Sequence, residues 1–71
     1  DGYIRPLTKR ELEVLGLLAE GYTTQAIARA LGLREGTVRT HLENVYPNLD
    51  SNNRVSAVNR ARGLRLIETE L

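Results

Sequence analysis

Cysteine is absent from this 71-residue chain and histidine occurs once, at His41. No disulfide framework and no thiolate metal site can therefore be built, and a lone imidazole cannot hold zinc without partners, so neither a metal nor another cofactor is expected. Long apolar runs are also missing, as is a basic-then-apolar leader, which argues against a membrane span and a secretory signal and predicts a cytoplasmic protein. No nucleophile with an adjacent base, no carboxylate dyad and no glycine-rich phosphate loop stands out, so an enzyme is disfavoured. The chain opens on Asp1-Gly2 rather than on methionine, and it is expected to be a piece of something longer. Its length suits one small domain with a single core.

Charge is nearly balanced, with a formal net charge of +1, yet it is unevenly placed. Residues 29 to 65 hold Arg29, Arg34, Arg39, Arg54, Arg60, Arg62 and Arg65 against only Glu35, Glu43 and Asp50, and Glu68 and Glu70 follow in the tail. A polyanion would be drawn to that half, although solvated arginines on helix surfaces would look the same.

No segment alternates as a strand should, and the periodicity predicts an all-α fold of four helices. The first begins at Thr8, where T-x-x-E with Glu11 forms a capping box, and places residues 11, 14, 15 and 18 inward before Gly21 ends it; Glu11, on that inner face, should find an arginine. The second follows Thr23-Thr24, buries Ile27, Ala28 and Leu31, and stops at Gly32. The third covers about residues 35 to 46, with Val38, Leu42 and Val45 inward and Gly36, Arg39, Thr40, Glu43 and Asn44 outward. The fourth is capped by Asn53 or Ser51 and ends at Gly63, with Ala57, Ala61 and Leu64 closing the core. The second and third helices with their short turn make a helix-turn-helix, a device that holds one helix in the DNA major groove.

Several spaced motifs add to that pattern. Residues 7 to 15 (LTKRELEVL), Leu18-Ala19-Glu20-Gly21, Ile27-Ala28 with Leu31-Gly32, Thr37 to Leu42 (TVRTHL) with Asn44-Val45-Tyr46, and Arg54 with Ala57-Val58 together resemble the LuxR-type DNA-binding domain of bacterial transcription regulators. The likeness runs from residue 7 to about 64, and the ending at residues 57 to 62 is similar to the MalT-like activators. It implies a third helix that reads DNA, a fourth that mediates dimerisation on a partly palindromic site, an N-terminal sensor elsewhere, and RNA polymerase as a candidate partner.

Residue by residue, the likeness puts Arg39 at a base-reading position, where a guanidinium fork matches guanine O6 and N7; a phosphate contact is the alternative. Thr40 could touch a thymine methyl or a base edge. Glu43 could accept from cytosine N4, or instead pair with Arg39 or repel wrong sequences. Phosphate contacts are expected from Thr23, Thr24, Arg34, Thr37, Asn44 and Arg54, with a pure N-cap as the competing role for Thr23. His41 is read as packing or phosphate contact. Val55, Val58, Asn59 and Arg62 are the expected dimer face.

Departures gather between residues 47 and 51, where the family commonly shows a basic residue, Lys, Leu, Gly and an apolar residue. Here Pro47 is expected to kink or stop the third helix near Val45 or Tyr46. Asn48 should lose a phosphate contact, Ser51 should leave a gap in the core, and Arg34 replaces the usual Ser or Thr cap. Weaker DNA binding or lower stability follows. Two other functions remain open: a sigma-factor promoter-reading domain, disfavoured by the fourth helix, and a helical protein-interaction module without a DNA role.

Overall fold

The computed structural model describes residues 7 to 67; Glu68 and Glu70 of the charge pattern lie outside them. Among the described residues there are four helices and no strand: α1 (Lys9–Ala19), α2 (Thr24–Leu31), α3 (Glu35–Asn48) and α4 (Arg54–Gly63). None of these is long and apolar enough to cross a membrane.

Helix starts follow the side-chain chemistry of the sequence. Thr8 Oγ1 accepts from the Glu11 amide at 3.1 Å while Glu11 Oε1 accepts from the Thr8 amide at 3.0 Å, so two otherwise orphaned donors are satisfied reciprocally. Thr23 Oγ1 caps α2 through the Ala26 amide, and Asn53 Oδ1 caps α4 through the Ser56 amide. Asn53 rather than Ser51 is thus the cap of α4. Only α3 starts without a side-chain cap, at Arg34.

All four helices end in the same way, with a left-handed residue and a backbone bond reaching back five residues. These are Tyr22 N–H to Leu17 O, Leu33 N–H to Ala28 O, Ser51 N–H to Tyr46 O and Leu66 N–H to Ala61 O. Glycine supplies the positive φ at Gly21 and Gly32, but Asp50 (φ 53°) and Arg65 (φ 60°) supply it after α3 and α4. Gly63 is therefore the last residue of α4, as expected, but it is not the left-handed one; Arg65 makes the turn. A side chain in this region meets the following carbonyl, which is the cost glycine avoids. The Asp50→Gly variant should accordingly gain about 0.5 kcal/mol, read as a higher urea midpoint at unchanged m-value.

Pro47 does not end α3. The helix runs on through Pro47 and Asn48, with Leu49 as its C-cap. Proline removes one ladder bond, but Leu49 is fully buried, its amide still reaches Val45 O at 3.1 Å, and Asn48 is only 4% exposed. Burying a leucine is worth about 1.5 to 3 kcal/mol, enough to offset most of the proline penalty of about 3 kcal/mol. Because Asn48 is buried, it offers no surface to a phosphate.

The core is one cluster drawn from every helix: Val14, Leu15 and Leu18 of α1, Ile27 and Ala28 of α2, Val38, Leu42 and Val45 of α3, Ala57, Val58 and Ala61 of α4, with Leu7 and Leu49 closing its ends. Leu31 packs on its margin rather than within it. Leu64 is 38% exposed and does not close the core; Leu66 and Ile67 pack there instead, because the turn at Arg65 folds the chain back. The hollow beside Ser51 is a shallow surface depression of about 380 Å³ bordered by Pro47, Asp50, Asn52 and Ser56, none of which belongs to the core, so it is not the expected gap in the core. Its polar wall is satisfied: Ser51 Oγ donates to Leu49 O and accepts from Ser56 Oγ.

Candidate nucleic-acid interface

Locking Val38, Leu42 and Val45 into the core determines what the rest of α3 can do. At 100° per residue the opposite face must carry Gly36, Thr37, Arg39, Thr40, Glu43 and Asn44, and all six are exposed, with Arg34 just ahead of them. A helix of 14 residues is about 21 Å long and can lie along a groove about 12 Å wide.

Within this strip the polar groups are already organised. Arg39 Nη2 donates to Glu35 Oε2 at 3.0 Å, one helical turn back, and Thr24 Oγ1 donates to the same oxygen at 3.0 Å from the start of α2. The partner of Arg39 is thus Glu35 and not Glu43, which is exposed without a partner among the described residues. Thr40 donates its hydroxyl proton to Gly36 O, which leaves its methyl and the oxygen's acceptor lone pairs for an external contact. Gly36 has no internal need to be glycine, since a Cβ there would meet nothing within 4 Å. Its lack of a side chain leaves the first turn of α3 bare, where amides and the helix dipole favour an anion.

The expected phosphate contacts divide. Arg34, Thr37 and Asn44 are exposed on or beside α3. Thr23 is an N-cap whose oxygen is used by the Ala26 amide, while its hydroxyl proton can still be donated outward. The Thr24 proton goes to Glu35 instead. Arg54 has an internal role that the sequence did not show: Nη2 donates to Leu18 O and Tyr22 O, both at 2.9 Å, tying α4 to the end of α1. Those carbonyls sit where α1 stops and carry its negative dipole end, the place a cation is favoured. His41 is half-buried on the flank of α3.

The four expected dimer residues do come together. Val55, Val58, Asn59 and Arg62 line a shallow groove of about 230 Å³ against the end of α1. Val55 stands out at 69% exposed, whereas Val58 is 8% exposed and belongs to the core, so the apolar face is smaller than expected.

Glu35 is the participant the sequence reading passed over. Its signal was available as an acid four residues before Arg39, but the competing pair with Glu43 has the same spacing. Charge order favours Glu35, since an acid four residues ahead of a base is the better arrangement, and the hydroxyl of Thr24, brought from another helix, adds a second hold on it.

Comparison with known proteins agrees with this geometry. A family model described as bacterial regulatory proteins, luxR family, matches residues 5–61. The transcriptional regulatory protein DesR of Bacillus subtilis (strain 168) is 42% identical over 57 residues, covering 80% of this chain and 29% of DesR. The HTH-type transcriptional regulator MalT of Vibrio cholerae serotype O1 is 42% identical over 59 residues, covering 83% of this chain and 6% of MalT. The chain thus spans less than a third of either relative. Among solved structures, the response regulator ChrA of a heme-sensing two-component system superposes with a TM-score of 0.87 at 39% identity, over 90% of this chain and 32% of ChrA. The transcription factor GerE gives a TM-score of 0.82 at 34% identity, over 90% of this chain and 97% of that one. Equal identity to DesR and MalT favours neither as a subgroup.

Proposed function

The chain belongs to the luxR family of bacterial regulatory proteins, and from that premise we propose that it binds double-stranded DNA sequence-specifically, as the DNA-reading domain of a transcription regulator. The observation that carries this is the outer face of α3: an exposed arginine, Arg39, flanked by small polar groups, on a helix whose other face is committed to the core. Arg39 addresses guanine in the major groove, the Thr40 methyl lies against a thymine methyl, and Glu43 accepts from cytosine N4. Arg34, Thr37, Asn44 and the Thr23 hydroxyl hold the phosphates on either side, fixing register without reading sequence.

Two copies pair through α4, with Val55 entering the groove beside Asn59 and Arg62 of a second chain. A two-fold pair of this kind reads a partial palindrome. The protein works in the bacterial cytoplasm, where RNA polymerase is the partner its regulator would address, and a larger sensor-bearing chain would control it. The presence of α4, packed on α1 and α3 through Ala57 and Ala61, supports this reading over a sigma-factor domain.

Selection from random duplexes, followed by titration of the winners at two salt concentrations, tests the proposal. A partial palindrome with half-sites about one helical turn or less apart is the expected outcome. Equal retention of all sequences would overturn it in favour of a module that does not read DNA.

A further inference from the structure

We infer that Glu35 is a positioning residue for Arg39: its carboxylate, held from the side by Thr24, presets the guanidinium for one base step and withholds it from general phosphate contact. This rests on the DNA-reading assignment of Arg39 made above. One oxygen, Glu35 Oε2, accepts from both Arg39 Nη2 and Thr24 Oγ1 at 3.0 Å, and the two donors come from different helices. An ordinary i, i+4 pair on a helix surface links two flexible side chains and orders neither. Here the Glu35 side chain is half-buried, at 39% exposure, and is tied to the start of α2, so the acceptor is fixed before DNA arrives.

Arg39 itself is 64% exposed and has used one of its five donors, which leaves the rest of the fork to meet guanine O6 and N7. Once a duplex covers the site, water is excluded and the pair strengthens. The same carboxylate repels phosphates, so a non-specific duplex gains nothing from Arg39. A purely structural role for Glu35, an acid in the first turn of α3 that complements the dipole, would produce none of this selectivity.

The test measures affinity for the selected duplex, for that duplex altered at the base step sensitive to Arg39→Ala, and for an unrelated duplex, with each variant's thermal melt recorded beside it. Glu35→Ala is expected to tighten the unrelated duplex about threefold and steepen the salt dependence by up to about 1, since a charge facing phosphate is removed. Discrimination at the Arg39 step should fall roughly tenfold, within the range that a bidentate arginine supplies. Glu35→Gln keeps an oxygen acceptor in the same place and should retain most of the discrimination; Thr24→Val, nearly the same shape, should lose part of it.

Unchanged discrimination in Glu35→Ala would overturn the inference, as would an equal loss of affinity for all three duplexes in both Glu35 variants, the mark of a stability effect alone. If Arg39→Ala itself leaves the preference intact, the base-reading assignment fails as well. That result is distinguishable from one in which Arg39 matters and Glu35 does not.

Discussion

Arg39→Ala should cost about 1 to 3 kcal/mol on the preferred duplex, a tenfold to hundredfold loss of affinity, and should flatten the preference at one base step. The side chain is 64% exposed and lies on the outer face of α3, so alanine removes no core contact and is well tolerated in a helix. Folding stability should change by less than about 0.5 kcal/mol, because the exposed pair with Glu35 is worth little in water. Competition titrations over a panel of single-base variants check the prediction. A phosphate contact would behave otherwise: every duplex would weaken alike, and the salt slope would fall by about 1 with no change in preference.

Arg54→Ala should act on the opposite property. Both hydrogens of Nη2 are donated to carbonyls, Leu18 O and Tyr22 O, that belong to the end of α1 and the turn after it. Hydrogen bonds from a charged donor contribute about 1.5 to 3 kcal/mol each, and losing both strips Tyr22 O of this donor while Leu18 O keeps only the backbone amides at the end of α1. A destabilisation of about 2 to 4 kcal/mol is expected, measured as a drop in the urea midpoint. For a domain of this size that is a large share of its total stability. Arg54→Lys separates the two roles that could be assigned to the residue. Lysine keeps the charge but lacks the planar fork that reaches both carbonyls, so it should restore little of the stability. Were Arg54 a phosphate anchor, lysine would largely restore DNA binding and neither variant would unfold more easily.

Much of the architecture was legible because helix starts and inner faces are local properties. Thr8 with Glu11, Thr23 and Asn53 announce caps, and the spacing of Val14, Leu15 and Leu18, or of Val38, Leu42 and Val45, announces which side is buried. The outer face of α3 follows from its inner face by geometry alone. Helix ends were harder. Gly21 and Gly32 mark left-handed turns, but Asp50 and Arg65 occupy the same conformation without the residue type that signals it. Pro47 misled for a related reason: propensity predicts a stop, and the burial of Leu49 beyond it overrides propensity.

For the interface, the division falls between residues that face outward and residues that have partners. Sequence by itself determined the four-helix plan, the exposure of Arg34, Thr37, Arg39, Thr40, Glu43 and Asn44, and membership of the luxR family, because periodicity, caps and motif spacing are all written along the chain. Tertiary structure alone decided that Arg54 ties α4 to the end of α1, that Val58 is spent on the core, and that Thr24 and Arg39 share one oxygen of Glu35. Those outcomes depend on carbonyls, core space and hydroxyls supplied by other helices, from 11 residues away in the case of Thr24 to 36 for Leu18 O. A side chain's partner is set by what the fold brings within 3 Å of it, and no local pattern encodes that distance.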